Sequence, residues 1–217
     1  MKIDPMKGYP IPSPGKRVAP FTDEDLAELY AATDDYYADF VKLGSLTGLR
    51  SYCELAEITA ENMIVSDRGV QLSVSGKMLS GSREKIRIFP LLKEAAEMCL
   101  RLAETAPKGS GIPLLRNSKG GKWSRGAAIE RMAKLRKKLK WCDDSRKQHL
   151  VNYSSRDYFA HGMISGSLTP NRKGVSLEVL AEMMEILQVC SQNTMCRCGA
   201  PITMSLCGRR SDSSYFA

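Results

Sequence analysis

The stretch Leu43-Gly-Ser-Leu-Thr-Gly-Leu-Arg50 closes an apolar helix on Thr-Gly and then presents an arginine. Far downstream, Tyr153-Ser-Ser-Arg156 presents a second arginine as a new helix opens. Around these two points the chain has an ordinary globular composition, 43% hydrophobic and 26% charged over 217 residues, enough for one good core or one domain with tails. No apolar run is long enough to span a bilayer, and Met1-Lys-Ile-Asp-Pro5 has no signal-peptide apolar region. The expectation is a soluble, cytoplasmic chain with no membrane partner.

The net charge of +8 points to an anionic partner, and its distribution says more than its size. From Arg116 to Lys147 there are 12 Lys/Arg against Glu130, Asp143 and Asp144, which leaves the rest of the chain close to neutral. Such a run can be a solvated helix face. Its concentration just ahead of Arg156 favours nucleic-acid contact. The seven cysteines do not form a secreted framework. Cys53, Cys99 and Cys142 read as small buried or half-buried hydrophobes, whereas Cys190, Cys196, Cys198 and Cys207 crowd into the tail.

Residues 1–20 are rich in Pro and Gly and read as a linker. Thr22 reads as an N-cap, with Asp23, Glu24 and Asp25 suited to the positive end of a helix through Leu26, Leu29 and Tyr30. A second helix is predicted over about 36–46, and a third from near Arg50 carrying Leu55 and Ile58. Val70, Leu72 and Val74 alternate with polar residues, a turn follows at Gly76-Lys77 and Ser80-Gly81-Ser82, and Ile86 and Ile88 alternate in the returning strand. With Met63 and Ile64 this makes a small antiparallel sheet of two or three strands, stopped by Pro90. Leu91 to Leu102 has helical spacing, 107–124 is a loop, and a basic helix over about 124–140 turns Ala128, Met132 and Leu135 inward. Further helices open near Ser154 and Leu177. In the last, Leu177, Leu180, Met184 and Leu187 are spaced for burial, and beyond Leu187 periodicity is lost.

Arg50 after Thr-Gly, the Tyr-x-x-Arg of Tyr153 to Arg156, and this order of elements resemble the tyrosine recombinase (phage integrase) family. The resemblance covers about 17–187, and Pro20-Phe-Thr-Asp-Glu-Asp-Leu26 is similar to the usual opening of that catalytic domain. It implies an α+β, mostly α fold in which a small antiparallel sheet carries a β-hairpin lysine. The implied organisation is a linker remnant at 1–20, a catalytic domain at 21–187 and an atypical tail at 188–217. Asp4-Pro-Met-Lys-Gly8 resembles the end of the linker from the family's preceding DNA-clamping domain, which is expected not to be part of this chain.

The family cleaves and rejoins double-stranded DNA through a phosphotyrosine, without metal or cofactor, ordinarily as a DNA-bound tetramer. The resemblance assigns Arg50 and Arg156 to the scissile phosphate. Arginine suits that task because its planar fork matches two non-bridging oxygens and keeps its proton. Each such donor is worth about 10²–10³ in rate, by analogy with oxyanion-hole deletions. Lys77, in Ser75-Gly76-Lys77 ahead of Arg83-Glu84-Lys85-Ile86-Arg87-Ile88-Phe89-Pro90-Leu91, fits the hairpin lysine that protonates the leaving oxygen, with Lys85 as the alternative. Tyr153 stands where histidine is more usual; its phenol can hydrogen-bond a phosphate oxygen but is no general base near neutral pH. His149 and His161 flank this segment and read as structural, with a catalytic role as the alternative. Glu54 lies four residues after Arg50 rather than the family's three, on the same helix face.

The resemblance fails at the nucleophile. The family's Gly-His falls on Glu185 and Ile186 and its tyrosine on Met195, while the one tyrosine downstream is Tyr215. Gly166 to Lys173 resembles a small insertion before the last matching helix. The tail has several readings: a shifted frame that leaves a truncated remnant, a zinc site of the four tail cysteines, Tyr215 as a nucleophile on a mobile arm acting in cis or on a neighbouring protomer, or a natural inactive homologue. The rival function is a non-catalytic DNA-binding protein that occupies recombination sites. A basic helical protein unrelated to DNA would require the Arg50, Lys77 and Arg156 spacing to be coincidence.

Overall fold

In the computed structural model, residues 19–67, 69–75, 86–107 and 109–184 are described. The fold is α+β and mostly α. Helix α1 (Asp23–Ala32) opens on a capping box in which the Thr22 hydroxyl accepts from the Asp25 N–H and the Asp25 carboxylate accepts from the Thr22 N–H. Helix α2 (Asp35–Thr47) is capped by Asp34 and ends on Gly48 in the left-handed region, at φ +63°.

A turn and a 3₁₀ segment (Leu55–Glu57) follow in place of the α-helix expected from Arg50. The Glu54 and Leu55 N–H groups both donate to the Arg50 carbonyl, and the chain leaves the turn extended at Ile58. The antiparallel sheet has the order β1 (Met63–Ser66), β2 (Gly69–Ser75), β3 (Ile86–Pro90). Lys77 and the rest of the turn between β2 and β3 lie outside the described residues.

Val70, Leu72 and Val74 of β2 face the core as expected. In β3 the alternation runs opposite to its apolar residues. Ile86 and Ile88 pair with Ser75 and Ser73 on the outer face and are 64% and 56% exposed, while Arg87 and Phe89 pair with Val74 and Leu72 on the inner face. Paired residues share a face, so the buried face of β2 fixes which side of β3 turns inward.

Helix α3 (Lys93–Glu104) buries Ala95, Met98, Cys99 and Leu102. The loop before α4 makes isolated bridges Thr59–Pro113 and Arg116–Lys122. Helix α4 (Arg125–Lys138) buries Ala128, Met132 and Leu135, as its spacing predicts. Helix α5 (Ser154–Ser165) packs across α2, and α6 (Leu177–Met184) buries Leu180, Ala181 and Met184. Leu177 is exposed, not buried, because it occupies the first position of α6, and Leu187 lies outside the described residues. Cys99 is buried, and burial pushes its thiol up to about 12; Cys53 and Cys142 are exposed, against expectation. Among the described residues no helix is long and apolar enough to cross a membrane.

Candidate nucleic-acid interface

The meeting of α2 and α5 positions the two arginines. A Cβ on Gly44 would stand 3.0 Å from the Ser155 hydroxyl, and one on Gly48 would stand 2.3 Å from the Phe159 ring. These two glycines let the helices approach closely, and the positive φ of Gly48 turns the chain so that Leu49 is buried and Arg50 emerges beside α5.

Glu54 organises the turn that follows. Its Oε2 accepts from the Arg50 backbone N–H at 2.8 Å, and its Oε1 accepts from Arg50 Nη1 at 2.7 Å. The carboxylate is 1% exposed and also accepts from Arg87 Nη2 at 3.2 Å. The expected contact of Glu54 with Arg50 is therefore present, made across a turn rather than along a helix face. Charge-assisted bonds of this kind are the stronger class, and their removal inside a protein leaves a buried charge uncompensated.

Arg156 sits in the first turn of α5 and is 2% exposed. Its Nη1 donates to the Gly48 carbonyl at 2.5 Å, and its Nη2 donates to the Met184 carbonyl at the end of α6. Burial pulls its proton affinity below the ordinary arginine value. The nearby Tyr153 and Glu54 oppose that fall, and the like charges of Arg50 and Arg87 add to it. Arg50 and Arg87 share the Glu54 carboxylate, and Arg87 and Arg156 donate to successive carbonyls of α6. Tyr153 itself is 45% exposed, immediately before α5, with its carbonyl accepting from the Arg156 N–H.

Arg87 is the one of these arginines that the spacing did not indicate. It lies on the inner face of β3, stacks over Phe89 at 5.2 Å and donates from Nη1 to the Met183 carbonyl. With Arg156 it thus bonds the Met183 and Met184 carbonyls of α6. The signal was its place between two isoleucines in the alternation of β3, which puts it on the face opposite to theirs, where the Glu54 carboxylate and the Met183 carbonyl meet it. Among the described residues, the buried Nε–H groups of Arg87 and Arg156 have no acceptor.

His149 is exposed on a 3₁₀ turn, and His161 is exposed on α5 near Asp157, whose carboxyl burial pushes up. Burial and the Glu54 charge push the Cys53 thiol up. Lys85, Met195, Tyr215 and the four tail cysteines lie outside the described residues.

The described fold is similar to solved structures of DNA recombinases. To the Tn1549 transposon integrase in complex with circular intermediate DNA, the chain is 17% identical, with a TM-score of 0.59, over 80% of this chain and 61% of that one. To the XerH site-specific recombinase bound to palindromic difH substrate, in a post-cleavage complex, it is 11% identical, with a TM-score of 0.53, over 83% of this chain and 50% of that one. The XerA recombinase gives 14% identity and a TM-score of 0.53, over 82% and 60%. The described fold is the one seen in these recombinase structures. At these identities the likeness is one of fold, and the chain spans about three fifths of the length of the Tn1549 integrase structure. No protein-family model and no curated protein matches the chain.

Within this recombinase fold, the basic segment 116–147 is not a free cationic face. Arg131 pairs with Asp34, Arg146 with Asp25 at 2.7 Å, and Lys147 with Glu28 at 2.9 Å and Asp25 at 3.4 Å. Lys122 pairs with Glu57 and Lys134 with Glu130, while Arg116, Arg136 and Lys138 donate to backbone carbonyls. Among the described residues Lys119, Arg125, Lys137 and Lys140 have no acidic partner, and Arg125 lies 5.9 Å over the Tyr52 ring, two residues from Arg50. Five of the twelve cations of the run thus meet a carboxylate, and the cations left for an anionic partner are divided along it.

Proposed function

We propose that this chain engages double-stranded DNA as the catalytic domain of a site-specific recombinase, with Arg50 and Arg156 holding the phosphate that is cleaved and rejoined. The observation that carries this reading is that Arg50 and Arg87 meet on the buried Glu54 carboxylate while Arg87 and Arg156 both donate to the end of α6, their buried Nε–H groups facing no acceptor among the described residues. Such preorganised donors suit an oxyanion whose charge grows during reaction. The DNA-bound recombinases of the same fold support it.

Tyr153, exposed before α5, is placed in this reading as a phosphate hydrogen-bond donor. Lys77 is the proton donor to the leaving oxygen, and Tyr215 is the nucleophile, in cis or given to a neighbouring protomer. The assembly on DNA is a tetramer. The competing reading, a protein that occupies recombination sites without cutting them, rests on Met195 standing where the resemblance expects tyrosine.

A covalent adduct decides between them. The full chain is incubated with nicked duplex DNA, and protein that resists denaturation from DNA is measured for the parent and for Tyr215→Phe. An adduct lost in Tyr215→Phe supports strand cleavage by that residue. An adduct unaffected by the substitution removes Tyr215 from the mechanism. Binding without any adduct supports the site-occupying reading.

A further inference from the structure

We infer that Asn152 is a positioning residue that sets Arg50 against Arg156, an inference that rests on reading these two arginines as a phosphate clamp. Asn152 is 3% exposed, one residue before Tyr153. Its Oδ1 accepts from the Tyr37 hydroxyl at 2.5 Å, and its Nδ2 donates to the Tyr52 hydroxyl at 3.0 Å. Its backbone carbonyl accepts from the Ser51 hydroxyl at 3.2 Å and from the Ser155 hydroxyl at 2.8 Å.

These four bonds join three pieces of chain. Tyr37 belongs to α2, Ser51 and Tyr52 are the two residues after Arg50, and Ser155 precedes Arg156. Both residues that follow the first arginine therefore end on the residue that introduces the second. The Arg156 bond to Gly48 closes the same loop from the other side. A purely local role would leave Asn152 bonded within its own turn; instead three of its four partners lie on α2 or beside Arg50.

The amide is the side chain this position needs. It accepts at one atom and donates at the other, so it serves two phenols at once, whereas a carboxylate cannot donate and an aliphatic group can do neither. Burial pushes the Tyr37 phenol up, so that partner is a neutral donor near neutral pH. Rigid support of this kind matters because binding groups displaced by even a fraction of an ångström lose much of their effect.

The test uses the full chain and a short DNA duplex of arbitrary sequence, with affinity measured across a series of salt concentrations. Each phosphate contact contributes about −0.9 to the slope of log affinity against log salt. Arg156→Ala is expected to make the slope shallower by about 0.9. Asn152→Ala, which leaves every cation in place, is expected to do the same or more. Met132→Ala in the α4 core, chosen to match its loss of thermal stability, is expected to keep the parent slope. If Asn152→Ala keeps the parent slope while Arg156→Ala loses it, the positioning role is overturned and the clamp stands. If Arg156→Ala also keeps the parent slope, the clamp reading fails and the inference falls with it. Should Asn152→Ala not fold, Tyr52→Phe, which removes one acceptor from a half-buried position, takes its place with the same expected direction.

Discussion

The guanidinium of Arg156 donates to the carbonyl of Gly48, so α5 is fastened to the residue that ends α2, two positions before Arg50. One hydrogen bond thus couples the placement of both arginines to a single backbone position. That position tolerates little, since Gly48 has a positive φ and no room for a Cβ against Phe159.

Gly48→Ala is therefore expected to destabilise the fold by about 2–4 kcal/mol, combining left-handed strain with a steric clash. Phe159→Leu costs about 1 kcal/mol alone and relieves part of the clash in the double variant, because residues in contact are not additive. Chemical denaturation of the four proteins checks this. Strict additivity would mean that the ring does not meet the new Cβ.

Glu54→Gln keeps the shape of the side chain but removes the charge shared by Arg50 and Arg87. A loss of about 3 kcal/mol is expected, the scale seen when one member of a buried pair is removed. A melting temperature equal to that of the parent would show that the turn holds without the ion pair.

The division of the basic segment predicts two different phenotypes. Lys147→Ala breaks contacts to Glu28 and Asp25, so it is expected to lower stability while leaving the salt dependence of DNA binding unchanged. Arg125→Ala is expected to reduce the salt slope by about 0.9 with stability altered by less than about 0.5 kcal/mol. Reversal of the two outcomes would return the DNA surface to the stretch nearest Lys147.

Acid is expected to weaken the contact between α1 and the segment 141–147. Burial pushes the Asp25 carboxyl up, but the Arg146 guanidinium and the Thr22 N–H outweigh it and hold it below the ordinary value; Lys147 and then Trp141 hold Glu28 below it as well. A carboxyl depressed in the folded state contributes stability that is complete above its unfolded value and is lost as pH falls through the folded one. Stability should therefore be flat from neutral pH down to about 4 and decline below it, with a shallower decline in Asp25→Asn. Unfolding curves at a series of pH values provide the measurement, and an unchanged decline in Asp25→Asn would assign the acid sensitivity to other carboxyls.

Much of the architecture was legible because it rests on local rules. Thr22 with Asp25 states a capping box, Thr-Gly at 47–48 states a helix end, and Val70, Leu72 and Val74 state a half-buried strand. The local pattern left matters open, or misled, where a partner elsewhere in the fold decides. The alternation of Ile86 and Ile88 marks a strand without saying which face is buried, and the register with β2 turns Arg87 inward to Glu54. The segment after Arg50 reads as a helix, yet Glu54 folds back onto the Arg50 N–H and the helix does not start.

By itself the sequence determined the order of helices and strands outside the turn after Arg50, the glycine-terminated helix before Arg50, and the arginine opening α5. These are encoded by propensity, capping and hydrophobic period within a few residues of each position. Only the tertiary structure decided which charges meet. Asp25 and Glu28 take up Arg146 and Lys147, Glu54 gathers Arg50 and Arg87, and Asn152 ties the two arginine-bearing segments together. Such pairings depend on distances between residues remote in the chain, which the packing of α2 against α5 and the register of β3 on β2 set.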